Sequence, residues 1–313
     1  MSVDPSRVGS DEGLVSVSWN LCRVIAAGEL TPIGRRLFRR APARLAEFVG
    51  QQFLGRCQTL ASILAILWAS SALAIRPSSW TPPTRVVLSR QLLFTCVDAV
   101  PVVLRFGAAV GILMIVQVAL WIDALGITTD VIIPLLWRVI VRELGPLLAC
   151  LVVIGRSGVA ISTELATMVV SGEVEVLDAQ GIDPMTCLVM PRILSVTLSV
   201  FCLAILMATT MIVTGYLISW SMGAVRISWS EFLDDILRQF NSLDLVFFFS
   251  KTIVAGAFAG AICCLDGVSV RGTMTDVPRV SSRSAIRALT AVFAVSAVLS
   301  ILIYGRLLVF QIG

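Results

Sequence analysis

The chain has 313 residues, of which 57% are hydrophobic and 14% are charged, and its mean hydropathy is +0.94. Soluble domains carry about 45–50% apolar and about 25% charged residues, so this composition excludes a soluble globular enzyme, a disordered chain and a nucleic-acid-binding domain. The chain contains no histidine, which excludes histidine-dependent triads, histidine-ligated metal or haem sites and histidine pH switches. Its eight cysteines show no CxxC spacing, so we expect neither disulfides nor a metal site.

The N-terminal part is the basic part of the chain, because residues 1–90 contain eleven arginines and five acids. We expect residues 1–50, a polar arginine-rich extension without a signal-peptide core, to lie in the cytoplasm. Residues 59–75 are apolar but short for a span, which needs about 20 residues. We predict an N-terminal interfacial helix at about 53–75, since crossing would place the arginines of 1–50 outside. The alternative is that this stretch crosses the membrane as a sixth span.

Five later apolar stretches predict transmembrane helices, at about 106–122, 131–154, 193–220, 245–265 and 288–309. None alternates with the period of a β-barrel, and helices satisfy their own backbone hydrogen bonds in lipid. Acidic connections at 123–130 and 221–244 are predicted outside, and the arginine-rich connection 266–287 is predicted inside. The predicted fold class is therefore an all-α integral membrane protein with five transmembrane helices, in a domain that covers 51–313.

A polar segment at 156–192 lies between two of these spans. Ser162, Thr163 and Glu164 open a helical pattern, and Gly181–Pro184 is typical of a helix stop followed by a turn. The pattern predicts an amphipathic helix at about 162–180 that would face the cytoplasm and transmit motion to a partner. A solvated loop is the alternative.

Charged residues interrupt the second predicted span at Arg138, Arg142 and Glu143, just before Pro146. One interpretation pairs Glu143 with a neighbouring arginine and lets Pro146 kink the helix. The other has Arg142 and Glu143 line a cavity for lipid headgroups, where arginine meets phosphate. Asp98 and Arg105, seven residues apart, are predicted to form an ion pair.

A stripe on the first span consists of Met114, Gln117 and Trp121, which share one helix face. The stripe is either core or lipid-facing surface, or it lines a cavity for acyl chains with Gln117 as its polar contact. Two pairs of glycines, Gly107 with Gly111 and Gly256 with Gly260, permit close helix approach.

The chain lacks the means to bind ATP. A Walker A loop requires GxxxxGK[ST], and Lys251-Thr252 is the only lysine followed by serine or threonine, with no glycine in residues 245–250. We therefore predict no catalytic residues and no bound cofactor, and a separate ATPase chain if transport uses ATP.

Short motifs in fixed order resemble those of a known family. The sequence is similar to the Mla-type permeases (MlaE/YrbE), the membrane subunits of ABC transporters that work with MCE-domain proteins. The resemblance covers about residues 50–312 and rests on Arg142-Glu143-Leu144-Gly145-Pro146, Gly155-Arg156-Ser157-Gly158, Glu164-Leu165, Thr167-Met168, Gly181-Ile182-Asp183-Pro184 and Pro191-Arg192.

This resemblance implies a non-catalytic permease subunit of an ATP-driven ABC transporter in the inner membrane. It implies a dimer with a second copy or a paralogue, a cytoplasmic ATPase that uses ATP and Mg²⁺, and a periplasmic MCE-domain protein that exchanges phospholipid or a related lipid. The helix at about 162–180 would be the coupling helix, and its predicted contacts with the ATPase are Glu164, Met168, Glu173, Glu175, Leu177 and Asp183. A stand-alone secondary transporter and a non-transporting assembly subunit are the alternatives.

One residue departs from the family pattern. Gly172 stands where the family usually has an acidic residue, beside Glu173 and Glu175. Inside a helix, glycine costs about 1 kcal/mol relative to alanine, so we expect Gly172 to weaken the coupling helix.

Overall fold

The computed structural model describes residues 43–77, 80, 82–125, 137–223, 229–239 and 242–312. Side chains are described in the same ranges apart from 43–57, 118–125, 235, 237, 239, 242–243 and 303–312. These ranges are almost entirely helical and contain no strand, which confirms the all-α class. The helices are α1 (Ala43–Ile75), α2 (Pro82–Thr95), α3 (Val100–Leu125), α4 (Trp137–Val170), α5 (Glu173–Ala179), α6 (Met185–Ser221), α7 (Trp229–Gln239), α8 (Ser242–Val268) and α9 (Val277–Ile312).

Six helices in the described ranges are long and apolar enough to cross a membrane, which makes this a multi-pass membrane protein. The candidate spans are Gln58–Ile75, Pro82–Gln117, Trp137–Val170, Met185–Ser221, Asp244–Val268 and Met274–Leu302. The first of them is the stretch expected to lie on the membrane surface. Length and composition do not separate a crossing helix from an interfacial one, so the interfacial assignment stays a prediction.

Helix α4 is longer than the span predicted at 131–154. It continues without a break through the polar residues Arg156 and Thr163 to Val170. Residues 126–136, which include the predicted start of this span, lie outside the described ranges. The helix continues because its polar side chains do not interrupt the backbone hydrogen bonds. Two wider π-helical turns lie within it, at Ile140–Leu144 and Ile154–Gly158. Such turns occur frequently at functional sites.

The predicted helix at 162–180 is divided between α4 and α5, and Gly172 lies at the division. Gly172 has a φ of +79°, and its N–H donates to the Val169 carbonyl over 3.2 Å at the end of α4. This left-handed conformation is accessible to glycine without steric cost. Gly172 therefore forms a turn between helices, and the cost expected for a glycine in a helix interior does not apply.

Helix α5 ends at the predicted stop. Gly181 has a φ of +75°, and the Ile182 N–H donates to the Leu177 carbonyl over 3.1 Å. The carboxylate of Asp183 then accepts hydrogen bonds from the backbone N–H groups of Met185 and Thr186, at 3.2 and 3.1 Å. Asp183 therefore caps the start of α6 in the manner usual for helix N-termini.

The chain forms two compact units, each made of three stretches. The first unit comprises the described residues up to Val87, together with Ile161–Ile193 and Ala261–Ser284. The second comprises Leu88–Ala160, Leu194–Gly260 and the described residues from Ala285 onward.

In the second unit, glycines allow three helices to approach α6 closely. A Cβ at Gly111 on α3 would lie 2.7 Å from the Met211 carbonyl oxygen, and one at Gly256 on α8 would lie 3.1 Å from the Thr197 Cα. On α4, a Cβ at Gly145 would lie 3.3 Å from the Ala208 Cβ. Small residues at such crossings allow the van der Waals contact that drives helix association in lipid. One glycine of each predicted pair, Gly111 and Gly256, therefore packs closely against α6.

Replacement of Gly111 by alanine is expected to destabilise the protein by about 1–3 kcal/mol, because the added methyl group overpacks the contact with α6. Thermal unfolding of the detergent-purified protein measures the effect. Gly155→Ala is the matched control, since a Cβ there meets no atom within 4 Å. Equal midpoints for the two variants would contradict the close approach.

Replacement of Gly172 by alanine is expected to cost about 1–2 kcal/mol, because an L side chain is strained at this φ. Gly172→Asn is expected to cost less, since asparagine tolerates the left-handed region. Amide hydrogen exchange over residues 171–182 reports the local opening. Exchange that is as slow in the alanine variant as in the wild type would be inconsistent with a left-handed turn.

Candidate functional site

Two charged residues of α4 in the second unit, Arg142 and Glu143, form ion pairs with α8. Arg142, in the first π-helical turn, is bound to Asp244 of α8, and its guanidinium lies over the Phe247 ring with 5.0 Å between Cζ and the ring centroid. The Arg142 and Asp244 side chains are only 12% and 4% exposed. A charge inside an apolar bundle is expensive unless it is paired, and this pair neutralises both groups.

Glu143 forms a second pair, with the only lysine of the chain. The Lys251 ammonium of α8 donates to one Glu143 carboxylate oxygen and, over 2.9 Å, to the Ser300 hydroxyl oxygen of α9. The Ser300 hydroxyl in turn donates to the other Glu143 oxygen over 2.8 Å. These three residues form a closed triangle that joins α4, α8 and α9. We call it the Glu143 triangle.

These contacts correct the expected pairing of Glu143 with a neighbouring arginine. Arg142 and Glu143 bind different residues of α8, Asp244 and Lys251, which lie 102 and 108 positions away in the sequence. The Glu143 side chain remains 35% exposed although Lys251 is almost fully buried. One side of the triangle is therefore partly exposed.

An apolar cavity of about 250 Å³ lies next to these charges in the second unit. Asp244 lines it together with Trp137 and Val141 of α4, and with Phe201, Phe248 and Phe249, of which Phe201 and Phe249 stack at 4.9 Å. Two of the acyl-chain candidates, Met114 and Gln117, do not line this cavity: Met114 is half-buried and Gln117 is exposed on α3. The Trp121 side chain lies outside the described residues.

The ion pair expected between Asp98 and Arg105 is replaced by one between Asp98 and Arg156. The Arg156 Nη2 lies 3.6 Å from the Asp98 carboxylate, and its Nη1 donates to the Phe94 carbonyl over 3.0 Å. The guanidinium also lies over the Phe94 ring, 5.3 Å from its centroid. Both partners of this ion pair are substantially exposed, so the pair contributes little to stability.

The residues predicted to contact an ATPase divide into two groups in the first unit. Glu164 and Met168, on α4, turn toward Arg192 of α6, whose Nη2 lies 2.8 Å from the Glu164 carboxylate and 4.0 Å from the Met168 sulfur. The Arg192 side chain is only 2% exposed. Glu164 and Met168 are therefore engaged within the unit.

The second group lies on α5 and the turn that follows it. Glu173 and Glu175 are exposed, and Glu173 accepts a hydrogen bond from the Ser171 hydroxyl over 3.1 Å. Leu177 is half-buried and Asp183 serves as the cap of α6. Glu173 and Glu175 are thus exposed on α5, whereas Glu164 binds Arg192 and Asp183 caps α6.

Two of the ion-pair partners that we did not predict could have been recognised from the sequence. Lys251 is the only lysine and begins an apolar run, and an ionisable residue inside a span requires a partner of opposite charge. Asp244 stands at the start of the same run. The hydroxyl of Ser300 and the burial of Arg192 had no comparable signal.

The described ranges thus form an all-helical multi-pass membrane protein with paired charges inside its spans. Residues 88–302 match the sequence profile of the family described as Permease MlaE. The chain belongs to the MlaE permease family, as its motifs indicated, and it has a permease role.

Relatives in three groups of organisms support this membership. A probable ABC transporter permease protein of Rickettsia conorii is 28% identical over 229 residues, which cover 71% of this chain and 83% of the relative. One from Synechocystis sp. is 28% identical over 207 residues, covering 66% and 78%. The chloroplastic protein trigalactosyldiacylglycerol 1 of Arabidopsis thaliana is 30% identical over 159 residues, covering 51% and 45%.

The Glu143 triangle predicts non-additive effects on stability. Lys251→Met is expected to destabilise the protein by about 1–3 kcal/mol, because it leaves the Glu143 carboxylate without its cation. The double variant Lys251→Met with Glu143→Gln is expected to recover much of this loss, since neither position then carries a charge. Thermal unfolding in detergent measures all three variants, with Glu143→Gln as the second single change. Additive losses would contradict the pairing.

Proposed function

We propose that the chain is the permease subunit of an ATP-driven ABC transporter that moves phospholipid or a related lipid between the inner membrane and a periplasmic MCE-domain protein. The observation that carries the proposal is the match of residues 88–302 to the Permease MlaE family. The relatives named as probable ABC transporter permeases support the ATP-driven class. The name of the Arabidopsis relative contains that of a glycolipid, which supports a lipid substrate.

The energy source in this proposal is a cytoplasmic ATPase on a separate chain, which binds ATP and Mg²⁺. Its docking element is α5, a short helix between the two long helices α4 and α6. Only Val174 of α5 is buried, whereas Glu173 and Glu175 project to the surface in its first turn. An exposed acidic helix held at both ends by long spans suits the transfer of movement to the membrane.

The lipid would meet this chain in its second unit. The partly open Glu143 triangle offers an ammonium and a carboxylate, which suit the phosphate and amine of a zwitterionic headgroup. Arg142 is neutralised by Asp244 and supports the triangle through the same π-helical turn. Met114, Gln117 and Trp121 on α3 are the proposed acyl-chain contacts, in a dimer formed with a second copy or a paralogue.

Affinity purification of the chain from its own cells, followed by reconstitution in lipid nanodiscs, tests this function. We expect an ATPase to co-purify, and we expect hydrolysis to depend on the lipid supplied. Glu173→Lys combined with Glu175→Lys is expected to abolish co-purification, because the reversed charges repel the surface that α5 fits. Asp234→Lys, a reversal of an exposed acid on α7, is the matched control.

Two results would overturn the proposal. A purified chain without any ATPase would leave the transporter without its energy source. Lipid movement that continues without ATP and follows an ion gradient would instead identify a secondary transporter working through the charges at Glu143 and Lys251.

A further inference from the structure

Three consecutive polar residues of α4, Ser162, Thr163 and Glu164, contact other helices of the first unit. The Ser162 hydroxyl donates to the Cys263 carbonyl of α8 over 3.0 Å and lies 2.8 Å from the Ser284 hydroxyl of α9. The Thr163 hydroxyl lies 2.7 Å from that of Ser281, also on α9. The Glu164 carboxylate binds Arg192 of α6. One turn of α4 is thereby joined to three helices, and we call these contacts the polar clasp.

Two links of the clasp are hydrogen bonds between hydroxyl groups, Ser162 with Ser284 and Thr163 with Ser281, and either atom can be the donor in each. The Ser281 hydroxyl also donates to the Val277 carbonyl over 3.0 Å.

Most of the clasp is buried in the unit. Ser162 and Ser284 are fully buried and Arg192 is 2% exposed, whereas the Glu164 side chain is 46% exposed. A buried polar group that loses its hydrogen bond retains the cost of its desolvation. Separation of α4 from α6, α8 or α9 at this level is therefore resisted by each link.

Helices α4 and α8 are in close contact next to the clasp. A Cβ at Gly267 of α8 would lie 2.9 Å from the Leu165 Cβ and 3.0 Å from the Ser162 carbonyl oxygen. Next to it, Ala166 packs in an apolar cluster with Val270 and Val277. Small displacements of this part of α4 must therefore displace its neighbours.

Arg192 links the two ends of the segment that contains α5. Its Nη1 donates to the Leu188 carbonyl of α6 over 2.9 Å, while its Nη2 reaches Glu164 of α4. The 27 residues between Glu164 and Arg192 in the sequence form the end of α4, the Gly172 turn, α5 and the start of α6. Since α5 is mostly exposed, a force on α5 reaches the spans through these two ends.

We propose that the polar clasp is the element that converts displacement of α5 into a joint movement of α4, α6, α8 and α9, with Ser162, Thr163, Glu164 and Arg192 as positioning residues. This inference rests on the proposed function and deepens it. Glu164 then acts inside the permease, as a brace for α5, and the ATPase contacts remain with Glu173 and Glu175.

A pair of variants at Thr163 tests the clasp with little change of shape. Thr163→Val removes the hydroxyl that is hydrogen-bonded to Ser281, and Thr163→Ser keeps it. In nanodiscs with the co-purified ATPase, we expect Thr163→Val and Glu164→Gln to lower the lipid transported per ATP hydrolysed by about threefold to tenfold. ATPase co-purification should stay at the wild-type level in both, and Thr163→Ser should restore the wild-type ratio.

Loss of ATPase co-purification in Glu164→Gln, as in Glu173→Lys with Glu175→Lys, would overturn the brace and return Glu164 to the docking surface. An unchanged ratio of transport to hydrolysis in Thr163→Val and Glu164→Gln would equally overturn the clasp.

Hydrogen exchange on the purified permease alone separates failure of the clasp from failure of the proposed function. We expect Glu164→Gln to speed amide exchange over residues 171–192, and Thr163→Val to speed it over 277–284. Asp178→Asn, a change at an exposed acid of α5, should leave residues 277–284 unchanged. Exchange at wild-type rates in both clasp variants would contradict the clasp even if the ATPase were shown to bind.

Discussion

The cost of an unpaired charge in an apolar environment is the constraint on which the second unit depends. Lipid gives no hydrophobic force between helices, so packing and polar contacts must determine how they pair. Arg142 and Glu143 impose two such contacts from adjacent positions of α4, one with Asp244 and one with Lys251 and Ser300. Both Asp244 and Lys251 lie on α8, which determines the register of α8 against α4. Glycine contacts with α6 then bring the remaining helices close.

The first unit uses a different chemistry for the same purpose. Its links are mainly hydroxyl hydrogen bonds from Ser162 and Thr163, with Glu164 and Arg192 as the one ion pair among them. A neutral hydrogen bond contributes about 0.5–1.5 kcal/mol net, which is less than the cost of breaking a buried ion pair. The first unit is therefore joined by several weaker links, and the second by fewer and stronger ones.

Hydropathy was sufficient to predict the helical class and the apolar stretches, because lipid restricts a spanning backbone to few solutions. It did not predict where α4 ends, since polar residues such as Arg156 and Thr163 continue a helix whose side chains find partners in the bundle. Gly172 was expected inside a helix because composition does not reveal the sign of φ. The partners of Arg142 and Glu143 depend on tertiary packing between α4, α8 and α9, so a local pattern favoured the neighbouring arginine. Lys251, unique in the sequence, was the clearest unused indication of an internal ion pair.

The burial of Lys251 also determines how the protein behaves toward covalent labelling. No other lysine side chain exists in the chain, and this one is 6% exposed and held by Glu143 and Ser300. Acylation of the lysine side chain thus requires the triangle to open. The extent of that single modification reports how often the triangle opens, without any introduced probe.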